Sequence, residues 1–289
     1  MLTRDELHSL VQKKPMLLDG ATGSNLMKAG MPRGCCAEQW ILENPQPLMD
    51  LQRQYAQAGS QILYAPTFQA QPIALQRVGL EKDTEKVNAQ LIALSRQAAP
   101  DALIAGDITT LAAFTDSWDE ANFDLLVDNY RRQIRGLIDG GADLLVGETL
   151  LYPQEAEAIL AAAELEGAGA AMYSFTMQSA GFLLSGADAG PVLKSLEDAG
   201  AAAVGFNCVA ADMMTAPLVS KLRRFVKGPI VCKPNAGNPV IGDDGIAQYP
   251  MGPEEFSEIM QSCADMGAKL LGGCCGTTPA HICAIKALL

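Results

Sequence analysis

The sequence predicts an α/β fold, a single (β/α)8 TIM barrel over residues 1–289, and three observations carry that expectation. Short apolar runs ending in small or polar residues recur eight times, each is followed by an amphipathic helical stretch, and no linker or composition shift divides the chain. The runs are Met16–Ala21, Gln61–Thr67, Ala102–Ile108, Asp143–Thr149, Ala170–Thr176, Ala203–Val209, Pro229–Ala236 and Lys269–Gly276. Several lack polar alternation, as suits parallel strands covered on both faces. A doubly wound sheet is the competing architecture, but it needs fewer strands or a second domain.

Before the first run, Met1–Lys14 is mixed and charged, with no signal-peptide apolar stretch. Leu26–Asn44 reads as a long loop after the first strand. Pro45-Gln46-Pro47-Leu48 then opens a helix running to about Ala58, with Leu48, Leu51 and Tyr55 at helical spacing. Asp83–Ala99, Asn122–Asp139, Pro153–Leu165 and Pro253–Met266 read similarly. Thr278-Pro279 is an N-cap and N1 pair for a last helix ending at Leu289.

Apolar residues make up 49% and charged residues 19%, ordinary for a folded protein. A net charge of −12 with no basic run argues against a nucleic-acid partner. No apolar run reaches the roughly 18 residues that span a bilayer, so a membrane is not expected and the cytoplasm is the expected compartment. The eight cysteines then read as free thiols or metal ligands rather than a disulfide framework.

In a barrel of this kind the active site lies at the C-terminal ends of the strands. Asp19-Gly20, Glu148, Cys208, Asn235 and Cys274-Cys275 all fall at such ends. Cys208, Cys274 and Cys275 can offer three thiolates to one metal ion and leave its fourth position open, the pattern of a catalytic zinc. Neighbouring strand residues point to opposite faces, so Gly272, Gly273 and Gly276 are expected to let the chain turn and aim both sulfurs inward. The bland reading of any one cysteine is packing, and it is the one preferred for Cys232, Cys263 and Cys283. No role is assigned to Cys35-Cys36. A vicinal-thiol redox switch is an open alternative, although no Cys-x-x-Cys supports it. Only His8 and His281 are available for histidine chemistry. His281 is the one candidate to close a structural site, and it reads instead as a partly exposed first-turn residue. There is no dinucleotide fingerprint and no P-loop.

Leu17-Leu18-Asp19-Gly20-Ala21-Thr22-Gly23, Gly147-Glu148-Thr149, Gly205-Phe206-Asn207-Cys208, Lys233-Pro234-Asn235-Ala236-Gly237 and Gly272-Gly273-Cys274-Cys275-Gly276-Thr277-Thr278-Pro279 together resemble the homocysteine S-methyltransferase family. The likeness is closest to the homocysteine-binding barrel of cobalamin-dependent methionine synthase. The resemblance implies Zn2+ held by Cys208, Cys274 and Cys275, with homocysteine sulfur as the fourth ligand. It implies that Glu148 pairs with the substrate ammonium, that Asp19 and Gly20 approach the substrate, and that Asn235 takes part in binding. Two bland readings stand beside these roles: Glu148 capping the helix near Pro153, and Asn235 ordering the Pro234–Gly237 turn. The sequence departs from the family at Ala65-Pro66-Thr67-Phe68, where an Asn is usual before the Thr, which puts the usual contacts on that side in doubt.

The resemblance also implies a donor supplied from elsewhere, because the sequence ends at Leu289 with no folate or cobalamin module. A methylcobalamin-type corrinoid carried by a separate protein is the preferred donor. S-methylmethionine or a betaine is the alternative. A non-catalytic zinc- or thiol-sensing barrel is the reading from another class.

Overall fold

Eight parallel strands close on themselves in the computed structural model, which describes residues 1–114, 120–242 and 247–289. They are β1 (Met16–Leu17), β2 (Ile62–Tyr64), β3 (Leu103–Thr109), β4 (Leu144–Leu150), β5 (Ala171–Phe175), β6 (Ala203–Ala210), β7 (Ile230–Asn235) and β8 (Ala268–Leu271). Each pairs with its sequence neighbours, β1 pairs with β8, and a parallel bridge between Leu18 and Ile62 shuts the ring. The predicted barrel is the observed one.

The strands are buried on both faces, so each contributes to two apolar layers. Met16, Leu18, Ile62, Ala105, Leu144, Val146, Met172, Val231 and Leu270 fill the inside. The larger layer, between strands and helices, includes Leu63, Ile104, Leu145, Tyr173, Phe206 and Cys232. Period-two alternation then fixes what stands next on the inner face: Tyr64 after Ile62, Asp107 after Ala105, Glu148 after Val146 and Lys233 after Val231. A layer of polar groups thus follows the apolar layer toward the strands' C-terminal ends.

The helices fall close to expectation. They include Pro45–Ala58, Thr84–Ala98, Glu120–Asp139, Pro153–Leu165, Pro253–Asp265 and Pro279–Leu288. Leu26–Asn44 is not a plain loop, however. A short helix, Gly23–Lys28, reaches into it, and Ala37–Glu43 forms another. Leu26 and Ile41 are buried there, which gives both helices a reason to pack.

The N-terminal segment, to which the sequence reading assigned no element, is helical. Arg4–Lys13 is a helix with a capping box between Thr3 and Glu6. Its Leu7 and Val11 join the inner apolar layer, and Leu2 N–H donates to Asp143 O at 2.7 Å. The Thr-x-x-Glu pattern was the available signal; the polar composition masked it. Among the described residues no helix is long and apolar enough to cross a membrane.

One glycine sets the closeness of β6 and β7. A Cβ on Gly205 would lie 2.0 Å from Val231 O, an impossible contact with backbone. Gly205→Ala is therefore expected to destabilise the barrel by about 1–3 kcal/mol or more, the usual cost of overpacking. Urea denaturation of the variant checks this, and an unchanged midpoint would contradict the packing account.

Candidate metal centre and cavity

Three of the sequence-predicted residues converge as sulfurs. The Sγ atoms of Cys208, Cys274 and Cys275 all lie within 4.8 Å of one another, with Cys208 and Cys275 3.9 Å apart. Two thiolates on a tetrahedral zinc, each at about 2.3 Å, stand roughly 3.8 Å apart. The donor set therefore fits zinc in both chemistry and spacing.

Backbone detail brings the sulfurs together. The pairing of β6 with β7 shifts register between Asn207 and Ala210, and Cys208 takes a left-handed φ of 57°. That conformation is uncommon for a residue with a side chain. Thr149, on β4, has the same φ of 57°. Asn207 ties the two strained positions together: Thr149 N–H donates to its Oδ1 at 2.9 Å, and its Nδ2 donates to Thr149 Oγ1 at 2.6 Å. Strain held by hydrogen bonds in this way commonly marks a functional site.

The loop after β8 is fastened at both ends. Cys274 N–H donates to Pro234 O at 2.7 Å, Ala236 N–H to Cys275 O at 2.9 Å, and Gly273 N–H to Asp19 O at 3.0 Å. Gly276 makes the turn with φ 81°, as its position suggested. Gly273 serves a different need, since a Cβ there would meet Thr277 Oγ1 at 2.4 Å. Hydrogen bonding among the sulfurs splits their acidities. Bonds from Cys208 and Cys274 draw Cys275 down to about 3, while bonds to Cys274 and Cys275 push Cys208 up.

The sulfurs open onto a cavity of about 560 Å³. Gly20, Tyr64, Asp107, Glu148 and Lys233 line one part of it; Met27, Met31, Ile41 and Phe68 line another. Lys233 is the charge at its centre. Its Nζ lies 3.0 Å from Glu148 Oε1, 3.4 Å from Asp19 Oδ1 and 4.5 Å from the centre of the Tyr64 ring. Burial would lower the Lys233 pKa, but Glu148 and Asp19 outweigh it and hold it well above the usual lysine range. Burial raises Asp19 to about 6 against the pull of Lys233, and it raises Glu148 with the same opposition.

The other expected residues have more particular places. Glu148 does not cap the helix near Pro153. Glu155 does, accepting from Leu151 N–H at 3.0 Å and Tyr152 N–H at 3.2 Å. Asn235 is buried, and its Oδ1 accepts from Cys275 N–H at 3.0 Å. It therefore orders the cysteine loop rather than only its own turn. His281 is buried, against expectation. Its Nδ1 accepts from Thr278 N–H at 3.2 Å and its Nε2 donates to Met251 O at 3.1 Å, so neither nitrogen is offered to a metal. Cys232 and Cys263 are buried as expected, whereas Cys283 is exposed, on the solvent side of the last helix. Cys35 lines the cavity and Cys36 is buried against Glu38 at 3.3 Å.

Lys233, Asp107, Asn207 and Tyr64 were not singled out from sequence. The signal for Lys233 and Asp107 was parity: each stands two residues beyond an inward apolar residue, at the C-terminal end of its strand.

Comparison with known proteins agrees with the geometry. The chain is 28% identical to the homocysteine S-methyltransferase of Escherichia coli K12, with 99% of each chain covered. It is 29% identical to the methionine synthase of Mycobacterium tuberculosis over 96% of its own length, but it spans only 25% of that protein. Among solved structures, the metallated form of the homocysteine methyltransferase MmuM from Escherichia coli superposes with a TM-score of 0.82 at 26% identity, covering 97% of this chain and 99% of the other. Residues 16–289 match the family model described as homocysteine S-methyltransferase, and the chain belongs to that family.

Proposed function

We propose that this chain is a zinc-dependent methyltransferase acting on the thiol of L-homocysteine and releasing methionine. The observation that carries the reading is the sulfur cluster of Cys208, Cys274 and Cys275 sharing one cavity with Glu148 and Lys233. The three cysteines would hold Zn2+, which when bound keeps an incoming thiol ionised at neutral pH.

The chain's own side chains do the rest. Glu148, held by Lys233, receives the substrate ammonium. Gly20 lines the cavity beside the first strand, where a Cβ would collide with Tyr55 and Thr277, and its backbone is what it offers the substrate. Asp19 contributes by anchoring Lys233, and Asn235 by fixing the backbone of Cys275. In the transfer, a sulfur lone pair forms the new S–C bond while the bond from the methyl group to its donor breaks. That electron pair leaves with the donor.

The preferred donor is a methylcorrinoid on a separate protein, in keeping with the match to methionine synthase over 96% of the chain. One observation favours a small donor such as S-methylmethionine or a betaine instead. The cavity continues to Met27, Met31, Ile41 and Phe68, and its volume lies in the range of about 300–1,000 Å³ that houses whole small-molecule ligands. A methionine-formation assay with homocysteine decides between them by comparing methylcobalamin, methyltetrahydrofolate, S-methylmethionine and glycine betaine. No methionine from any donor, including a methylated corrinoid protein, would count against the activity.

Cys208→Ala is expected to lose both zinc and methyl transfer, measured by metal analysis and the same assay; full activity would remove the central claim. Zinc affinity is expected to weaken as the pH falls. Cys208 and Cys274 are both raised, so at neutral pH they hold protons that the metal must expel, and acid favours the protonated thiols. A competition titration with a chelator at several pH values measures this, and a pH-independent affinity would argue against thiolate ligation.

A further inference from the structure

We infer that Asp107 is the second carboxylate at the ammonium end of the cavity, where it contacts the α-amino group of the acceptor and so determines specificity. The inference rests on the reading of the acceptor as an amino-acid thiol.

Asp19, the other carboxylate near Glu148, already has its partners. Its Oδ2 accepts from Tyr64 N–H at 2.8 Å, and its Oδ1 has no hydrogen bond but stands 3.4 Å from Lys233 Nζ. It does not line the cavity. Glu148 Oε1 is likewise taken by Lys233 at 3.0 Å. An ammonium group seated between Asp19 and Glu148 would have to displace a buried lysine from both.

Asp107 is the opposite case. It is only 5% exposed, it lines the cavity, and its buried Oδ1 has no hydrogen-bond partner. No lysine, arginine or histidine among the described residues lies within ion-pair distance of it. A carboxylate taken out of water with nothing to pair with is costly, which marks this one as awaiting a partner. Burial, and next the charge of Glu148, push its carboxyl well up; Lys233, beyond ion-pair distance, opposes them without offsetting them, so a cation in direct contact is what would let it ionise.

Its position is fixed as well as unpaired. Thr67 Oγ1 accepts from Asp107 N–H at 2.9 Å and donates to Asp107 O at 2.8 Å, while Gln133 Nε2 donates to the same carbonyl at 3.2 Å. Register places Asp107 opposite Val146 and Thr109 opposite Glu148, so both carboxylates share the inner face of adjacent strands. One ammonium group could thus meet the free side of Glu148 and Asp107 together, leaving Lys233 in place.

The test is equilibrium binding by calorimetry to the zinc-loaded protein, with L-homocysteine and its desamino analogue as probes. Asp107→Asn, close to isosteric, is expected to weaken homocysteine binding roughly ten- to hundredfold, the loss of one charge-assisted hydrogen bond. It is expected to leave the desamino analogue within about twofold, because that ligand has no group for Asp107 to contact. Should the Asn variant not fold, Asp107→Ser carries the same comparison. Unchanged homocysteine binding, or an equal loss for both ligands, overturns the assignment. Failure of the zinc-loaded wild type to bind homocysteine overturns the reading beneath it instead.

Discussion

The candidate site depends on one buried cation. Lys233 stands on the inner face of β7 between Glu148 of β4 and Asp19 beside β1, and its ammonium group lies over the ring of Tyr64 from β2. Four of the eight strands are joined through this one ammonium group. Taking it out of water is expensive unless opposite charge surrounds it, and two carboxylates supply that charge. The same contacts hold the carboxylates where a ligand can use what remains of them. Acid groups this buried would otherwise drift toward the neutral form, as the raised Asp19 shows even with Lys233 beside it.

The sulfur end is built by a different device. Cys208 and Thr149 adopt backbone conformations that side chains disfavour, and Asn207 links both positions. Cys274 and Cys275 leave β8 in a loop pinned to the ends of β7 and β1. Two cysteines adjacent in sequence reach one point because both lie in this loop past the end of β8 at Leu271, where strand alternation no longer applies. The charged end is thus set by parity along regular strands and the sulfur end by departures from regularity. Both need the closed ring to hold them at a fixed separation.

That division explains what could be read from the sequence. The barrel was legible because eight apolar runs and their intervening helices are regular, and regular structure leaves a periodic trace. The cysteines and Glu148 were legible as chemistry at strand ends. Lys233 was not, since a lysine in an apolar strand reads as an exception until its partners on other strands are known. Asp107 was hidden in the same way: its neighbours in space are Glu148 and Thr67, distant in sequence. The helix Arg4–Lys13 was overlooked because only its Leu7 and Val11 are fully buried, leaving too narrow a stripe to stand out among charges.

The unequal treatment of the three carboxylates bears on selectivity. Asp19 is committed to Lys233 and to the backbone of Tyr64, Glu148 is committed on one oxygen, and Asp107 is uncommitted. Such a graded set can receive one positive charge without rearranging the lysine that organises it. A ligand lacking that charge would leave Asp107 buried and unpaired, and a site with unmet polar groups rejects such ligands more strongly than an apolar pocket rejects a poor fit. Thiol affinity alone would admit many sulfur compounds to the proposed three-cysteine metal centre. The selection among them would then fall to the carboxylates on the inner face of β3 and β4, remote from the sulfurs along the chain and joined to them only by closure of the barrel.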